Sequence, residues 1–382
     1  MQVAIVGAGP AGAHLAYLLS RKAHDVTVFD AREAWEKPCG GGVTSKALRE
    51  FEFLARADWT RQTISDVKLI SGAGREVTLS TTEELAVYSR ADLSRLMRQL
   101  AVDGGARLIC QRVDKTIRKD GKWLIHSGDQ VYSADLLVGA DGASSIIRRR
   151  VGVQLRQGDF SYALGWHVKP ARRSGRNRID IKYLDNFTGY IWAFPRTDHI
   201  SYGIASKYRE WTPADLKGKL RSFMRQDGIG CDSEVESTVD MTFYAAMLPA
   251  LEESSWEHLR VVNQNEGWAL IGDAAGFVDP LTGEGIYYAL KSAELLATAV
   301  ESRLGDYEEM WRREFGAELR RASQLQRRFY HGRFAGKPLL ERMVQFAGWH
   351  GGVRATLGDL ISGNQSYVDL KSRLKRDALR IV

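Results

Sequence analysis

Cysteine is scarce. Cys39, Cys110 and Cys231 are the only three in 382 residues, too scattered for a disulfide framework or a cysteine-based zinc motif. H-E-x-x-H and other His/Asp/Glu clusters at metal spacing are missing, so no metal site is expected. No apolar run approaches the roughly 20 residues of a membrane span. No signal sequence precedes the first predicted strand. Together these absences point to a cytoplasmic, soluble chain that meets a membrane only peripherally, and a monomer is expected. No internal repeat or low-complexity tract is visible. The net charge is +7, with arginines gathered at Arg312, Arg313, Arg320, Arg321, Arg327, Arg328 and Arg333. No nucleic-acid motif accompanies them, so nucleic acid is not an expected partner. They read either as the solvated face of a long helix or as a basic face for anionic head groups or phosphorylated substrates.

What is present begins at the first residue. Val3–Val6 is a β-branched run that reads as a buried parallel strand. Gly7, Gly9 and Gly12 follow at G-x-G-x-x-G spacing, with Pro10 and Ala11 between them. The first glycine allows a sharp turn, the second lets backbone approach a pyrophosphate, and the third lets the next helix lie close on the strand. That helix aims free N–H groups at phosphate. Val26–Phe29 is a second strand, and Asp30 at its end can accept a ribose hydroxyl. Taken alone, this unit allows NAD or FAD.

Further along, Lys37-Pro-Cys-Gly-Gly-Gly42 suits a loop passing tight against a ligand. A strand pair is expected over 63–80, a helix over 90–102, a strand over 106–113 and a hairpin over 115–132. The strand 135–139 ends in Asp141 and Gly142, before a short helix at 146–150. From 155 to 250 short alternating strands dominate, the last expected over 239–248, with a helix over 212–226. Tyr190, Trp192 and Phe194 lie at i, i+2 and i+4 and so share one face. That face packs either on a helix or on an apolar substrate pocket. A strand at 268–271 ends in Gly272 and Asp273, and a glycine-rich loop precedes a helix from Ile286 to Arg303. One long basic helix is expected over 307–331, and two or three shorter ones over 338–382. The fold class is α/β: a Rossmann-type domain with a parallel sheet (1–62, 85–155 and 265–304), an antiparallel-sheet substrate domain (63–84 and 156–264) and a helical C-terminal region (305–382).

The Gly-rich unit with Asp30, the Gly139–Gly142 strand end, and Gly272-Asp273 with Pro280 and Gly283 resemble the FAD domain of p-hydroxybenzoate-hydroxylase-like flavoproteins. Lys37–Gly42, Gly189-Tyr-Ile-Trp-Ala-Phe-Pro195, Asp279-Pro-Leu-Thr-Gly-Glu-Gly-Ile286 and Ile361-Ser-Gly-Asn-Gln-Ser-Tyr367 resemble the geranylgeranyl reductase family. The resemblance implies an FAD site. Gly7, Gly9, Pro10, Ala11 and Gly12 would hold the pyrophosphate, Asp30 the adenosine ribose and Arg90 a phosphate. The Val113 backbone would lie by the adenine, and Asp273, beside Gly272, would take a ribityl hydroxyl. Pro280, Gly283, Gly285 and Ile286 would lie along the flavin pyrimidine ring, where a helix N-terminus favours negative charge. Asp141 and Gly142 would help bind FAD and a nicotinamide donor. Cys39, Gly40 and Gly41 would pass the flavin.

The implied reaction saturates C=C bonds of an isoprenoid chain by hydride transfer from reduced flavin, with NADPH, NADH or a ferredoxin as electron donor. Tyr190, Trp192 and Phe194 would wall the apolar pocket. Cys39 is the protic group of its loop and can supply or relay a proton. Cys39, Tyr190 and Trp192 are therefore the candidate catalytic side chains, with Tyr244 and His167 as weaker proton donors. The same fold also serves monooxygenases, halogenases and electron carriers. Halogenases carry W-x-W-x-I-P, where this chain has Tyr190 for the first Trp and Phe194 for Ile.

Overall fold

The computed structural model describes residues 1–56, 58–169, 177–229 and 240–379. Cys231 and Val239, the expected start of the last substrate-domain strand, lie outside them; that strand is described as Met241–Pro249.

Gln2–Val6 lies inside a six-stranded sheet, between Leu136–Gly139 and Asp25–Phe29. Trp268–Leu270 and Arg107–Ile109 pair outside these two, all in parallel, and Val262–Asn263 adds an antiparallel edge. Both faces are covered, so these strands are apolar throughout rather than alternating. The helix Pro10–Ser20 starts directly after the first strand and packs against the helix Ile286–Glu301. All the loops named above therefore meet at the C-terminal edge of one sheet, where open α/β sheets bind ligands.

The second sheet has eight strands, in the order Met241–Pro249, Phe160–Val168, Ile200–Lys207, Gly189–Pro195, Arg178–Tyr183, Gln62–Ile70, Glu76–Val87 and Gly42–Val43. All its pairs are antiparallel except Arg178–Tyr183 with Gln62–Ile70, which stitches the early strand pair onto the later strands. Helix Pro213–Gln226 covers one face. A Thr212/Asp215 capping box and Pro213 in its first turn start it, and Leu216, Leu220, Phe223 and Met224 pack on Ile191, Ala193 and Ile204. The C-terminal helices cover part of the other face, where Tyr330, Leu340, Val344 and Leu357 pack on Leu69, Leu79 and Ile179.

Four expectations need correction. The second strand of the pair expected over 63–80 runs to Val87, because Gln62–Ile70 pairs along it past a bulge between Ile64 and Asp66. A division at residue 84 therefore falls inside one strand. The strand expected over 106–113 is only Arg107–Ile109, since its single neighbour ends at Phe29. The hairpin over 115–132 turns where expected, at Asp120-Gly121 and again at Ser127-Gly128-Asp129, but the resulting three-stranded meander runs on to Ala134. The 307–331 helix is broken by a π-helical turn over Arg312–Gly316, which lies where Trp311 and Phe315 stack around Phe277. Arg313, Arg320, Arg327 and Arg328 are exposed, whereas Arg312 turns inward, donates to the Trp256 and Leu259 carbonyls and pairs with Glu308. Three short helices follow: Leu339–Trp349, Gly351–Ile361 and Leu370–Leu379. Among the described residues no helix is long and apolar enough to cross a membrane.

Candidate functional site

The first loop assigns each glycine a different task. Gly7 has φ +105°, and a Cβ there would collide with the Ala140 carbonyl. A Cβ on Gly12 would strike the Gly7 carbonyl oxygen, so the helix can sit this close only on glycine. Gly9 has an ordinary φ of −70°, and a Cβ there would meet no protein atom within 4 Å. Neither backbone nor packing requires glycine at that position, which leaves room for a ligand against the chain. Asp30 accepts from the Ala8 and Arg32 backbone N–H groups, at 2.8 and 3.0 Å. It thereby fixes the loop that carries Gly9.

The segment 36–42 is anchored on three sides. Glu36 accepts from Ser89 Oγ, Arg90 N and Ala91 N at 2.7, 2.7 and 3.2 Å, which ties it to the N-terminus of the helix Arg90–Asp103. Lys37 pairs with Asp273 at 3.0 Å. Arg196, with no exposed side-chain surface, pairs with Glu36 and donates to the Cys39 carbonyl at 2.6 Å. Ser201 Oγ donates to the same carbonyl at 3.0 Å. Gly40 and Gly42 lie against the Phe194 ring, where Cβ atoms would come within 3.1 and 2.7 Å of it. Gly41 has φ +83° and faces the Tyr88 carbonyl. Three successive glycines are needed because an aromatic ring and a neighbouring strand enclose the loop. Arg90 is buried. It donates to Cys39 Sγ at 3.1 Å, and its Nε has no partner.

The loop 279–285 is held mostly by side chains. Asp279 accepts from Leu281 N at 2.8 Å and Thr282 N at 3.3 Å. Tyr190 Oη donates to the Thr282 carbonyl, Tyr330 Oη to Leu281 O at 2.7 Å and Gln326 Nε2 to Pro280 O at 2.9 Å. Tyr367 Oη donates to Asp279 at 2.7 Å, so the Ile361–Tyr367 motif reaches back to this loop. Burial raises the Asp279 carboxyl above its usual range. The helix that follows opens at Gly285 and Ile286 with no capping side chain on Gly285. Glu284 accepts from Tyr287 N at 2.8 Å. Burial, and then the charge of Asp279, push its carboxyl up to about 7.

These three loops border one cavity of about 1290 Å³. Pro10, Cys39, Arg90, Asp273 and Gly283–Ile286 line one end, and Leu325, Phe329, Met343 and Leu357 of the C-terminal helices line another part. Tyr190, Trp192 and Phe194 all line it, while Ile191 and Ala193 point into the helix-covered core. The structure thus brings together Pro10, Cys39, Gly40, Gly41, Arg90, Tyr190, Trp192, Phe194, Asp273, Gly283, Gly285 and Ile286. Gly7, Gly9, Ala11, Gly12, Asp30, Val113, Asp141, Gly142, Gly272 and Pro280 stand outside its wall.

Asp141 caps the helix Ile146–Arg150 through Ile146 N (2.6 Å), Ile147 N (3.2 Å) and the Ser145 hydroxyl, and the Val113 side chain is buried in the core. Tyr244 and His167 do not line the cavity either. Tyr244 instead bonds Ser201 (2.9 Å) and the Tyr202 carbonyl (3.0 Å). Glu36, His167 and His199 bring three metal-type donors within 4.8 Å of one another. Arg196 already pairs with Glu36 and donates to His199 Nε2 at 3.2 Å, so a fixed guanidinium charge stands where a cation would go. Sequence reasoning missed Glu36, Arg196 and the raised carboxyl of the half-buried Glu284. Only Glu284 left a signal, as the sole ionisable residue between Thr282 and Ile286.

The open space at Gly9 and the buried, part-satisfied guanidinium of Arg90 fit a dinucleotide phosphate. Comparison with known proteins agrees. An FAD binding domain family matches residues 1–171. Menaquinone reductase of Mycobacterium tuberculosis is 30% identical over 81% of this chain and 78% of its own length. Geranylgeranyl diphosphate reductase of Synechocystis is 26% identical over 86% and 85%. A solved geranylgeranyl bacteriochlorophyll reductase-like protein from Thermoplasma acidophilum superimposes with a TM-score of 0.77 over 98% of both chains, at 20% identity. The cofactor is FAD, and the chain belongs to the geranylgeranyl reductase family of FAD-dependent oxidoreductases.

Proposed function

We propose that the protein saturates C=C bonds of an isoprenoid chain. The observation that carries this reading is the cavity's course. It runs from the FAD loops past Tyr190, Trp192 and Phe194 into an apolar bay formed by Leu281, Leu325, Phe329, Met343 and Leu357. A long apolar tail fits such a wall, whereas a compact polar substrate would leave it unsatisfied.

The loops at Gly9, Arg90 and Gly283–Ile286 would hold FAD, which in its reduced form would be the source of a hydride for the alkene; NADPH or NADH is the proposed electron donor, with a ferredoxin as the alternative. The chain's own residues must hold the alkene still, exclude water and protonate the other carbon. Tyr190 and Trp192, 5.8 Å apart by ring centroid, pin the tail from the sheet side. Glu284 lines the same cavity and holds a proton near neutral pH, so it is the proposed acid. Cys39 sits at the cavity edge under Arg90 and is the proposed relay or gate.

The reading is tested by reducing the FAD-loaded protein without oxygen and adding a prenyl lipid. Reoxidation matched by loss of double bonds is expected. Reoxidation that requires O2 and yields a hydroxylated product would overturn the reading, because this fold supports both chemistries. Two further outcomes are expected. Turnover should fall about tenfold per pH unit above about 7, as Glu284 loses its proton. Glu284→Gln should lower turnover about a hundredfold and abolish that limb of the pH profile. If the limb survives in Glu284→Gln, the acid is another group. Cys39→Ser should keep FAD and lower turnover about tenfold; unchanged turnover would reduce the thiol to packing.

A further inference from the structure

The far end of the cavity meets the surface at a patch unlike the rest of the molecule. Trp349 is 74% exposed, Phe334 54% and Phe346 39%. A tryptophan this bare is unusual on a water-facing surface. Phe346 and Trp349 lie one turn apart on the helix Leu339–Trp349 and so share a face. Phe334 comes from the small hairpin Arg333–Pro338 and packs on Phe346 with ring centroids 6.1 Å apart. Arg342 fastens hairpin to helix, donating to the Phe334 and Ala335 carbonyls at 3.3 and 2.9 Å. Phe334 and Phe346 both also line the cavity, so the aromatic patch and the tail-binding space are continuous.

The charge around the patch has one dominant sign. Arg328 and Arg342 line the adjoining cavity wall. Arg333 and Lys337 are exposed on the hairpin itself. Aromatic rings projecting from a basic surface make the arrangement that sits at a bilayer interface, with the rings among the acyl chains and the cations among the phosphates.

We infer that this end of the protein docks on an anionic lipid bilayer, placing the cavity mouth against the acyl layer. An apolar tail can then pass from bilayer to cavity without crossing water. The inference rests on the proposed function only in saying what uses the mouth. Docking itself follows from the patch and is measured without turnover.

The test is co-sedimentation of the FAD-loaded protein with vesicles of phosphatidylcholine, with and without phosphatidylglycerol. Trp349 and Lys337 are the probes, because both are exposed and neither lines the cavity. Wild type should bind the anionic vesicles and weaken as salt is raised. Trp349→Ala should bind at least tenfold less well. Lys337→Glu should bind anionic vesicles about fivefold less well or worse, and pure phosphatidylcholine no differently, since one basic residue near an anionic surface is worth about fivefold. Turnover on a detergent-dispersed prenyl substrate should be unchanged in both variants. Wild-type protein that stays in the supernatant would overturn the inference, as would variants that sediment like wild type. A dimer in sedimentation velocity that Trp349→Ala dissociates, with vesicle binding unaltered, would assign the patch to a second copy instead. Loss of turnover on every substrate with vesicle binding intact would count against the proposed function and leave docking standing.

Discussion

Gly9→Ala should fold as stably as the parent and lose its flavin, whereas Gly12→Ala should lose both. The two glycines are three residues apart in one motif, but their surroundings differ. At Gly9 the backbone is already in a region open to any residue, and a Cβ meets no protein atom within 4 Å. The added methyl therefore costs the apoprotein almost nothing. It occupies the space where a pyrophosphate would lie against the chain, and such overpacking costs about 1–3 kcal/mol, or roughly tenfold to a hundredfold in FAD affinity. At Gly12 the Cβ would strike the Gly7 carbonyl. The helix must retreat from the strand, at about 3 kcal/mol or more of stability, and its N-terminal N–H groups move with it. Thermal melts of the apoproteins with flavin titrations separate the cases. A Gly9→Ala protein that binds FAD normally would mean that the motif's second glycine does not face the cofactor.

Arg196→Met should have the second large effect. Its guanidinium is buried, and burial lowers its pKa only to about 10, so it stays charged. Removing it strands Glu36 without its cation and leaves the Cys39 carbonyl with Ser201 as its one side-chain donor. Breaking a buried ion pair from one side costs about 3–5 kcal/mol. Glu36 keeps Ser89 Oγ and two backbone donors, so about 3 kcal/mol is expected, read as a lower denaturation midpoint. The loop should also loosen, and a displacement near 1 Å at a reacting centre can lower turnover about a hundredfold. FAD should be retained, and Cys39 should alkylate faster than in the parent. Arg196→Lys should rescue little, because one ammonium cannot reach both partners in a fork. Unchanged alkylation with lowered stability would make Arg196 a structural residue only.

How much of this was legible in the chain follows from contact distance. The strand, three glycines and Asp30 are local, so their spacing carries their geometry. The shared face of Tyr190, Trp192 and Phe194 follows from strand periodicity, and only the choice between helix and cavity needed the structure. The anchoring of Cys39 was invisible. Glu36 and Arg196 are separated by 160 positions, and no local pattern records that the large sheet brings them together. Asp141 has a task that its strand-end motif does not announce: its carboxylate oxygens take two backbone N–H groups and a hydroxyl from the next helix. The strand through Val87 was cut short in reading because its later residues, Glu83 to Val87, follow no strict alternation.

The bond from Tyr367 to Asp279, with those from Gln326 and Tyr330 to the same loop, also sets an order of events during synthesis. A ribosome-bound chain of about 300 residues already contains every strand of the parallel sheet and the whole nucleotide-clamping turn, and domains tend to fold as they emerge. The loop that shapes the redox end of the pocket still lacks these three supports: two arrive with Gln326 and Tyr330, and the last only when translation has passed residue 367. The nucleotide-clamping turn is thus complete in the chain before the loop at the redox end has its last support.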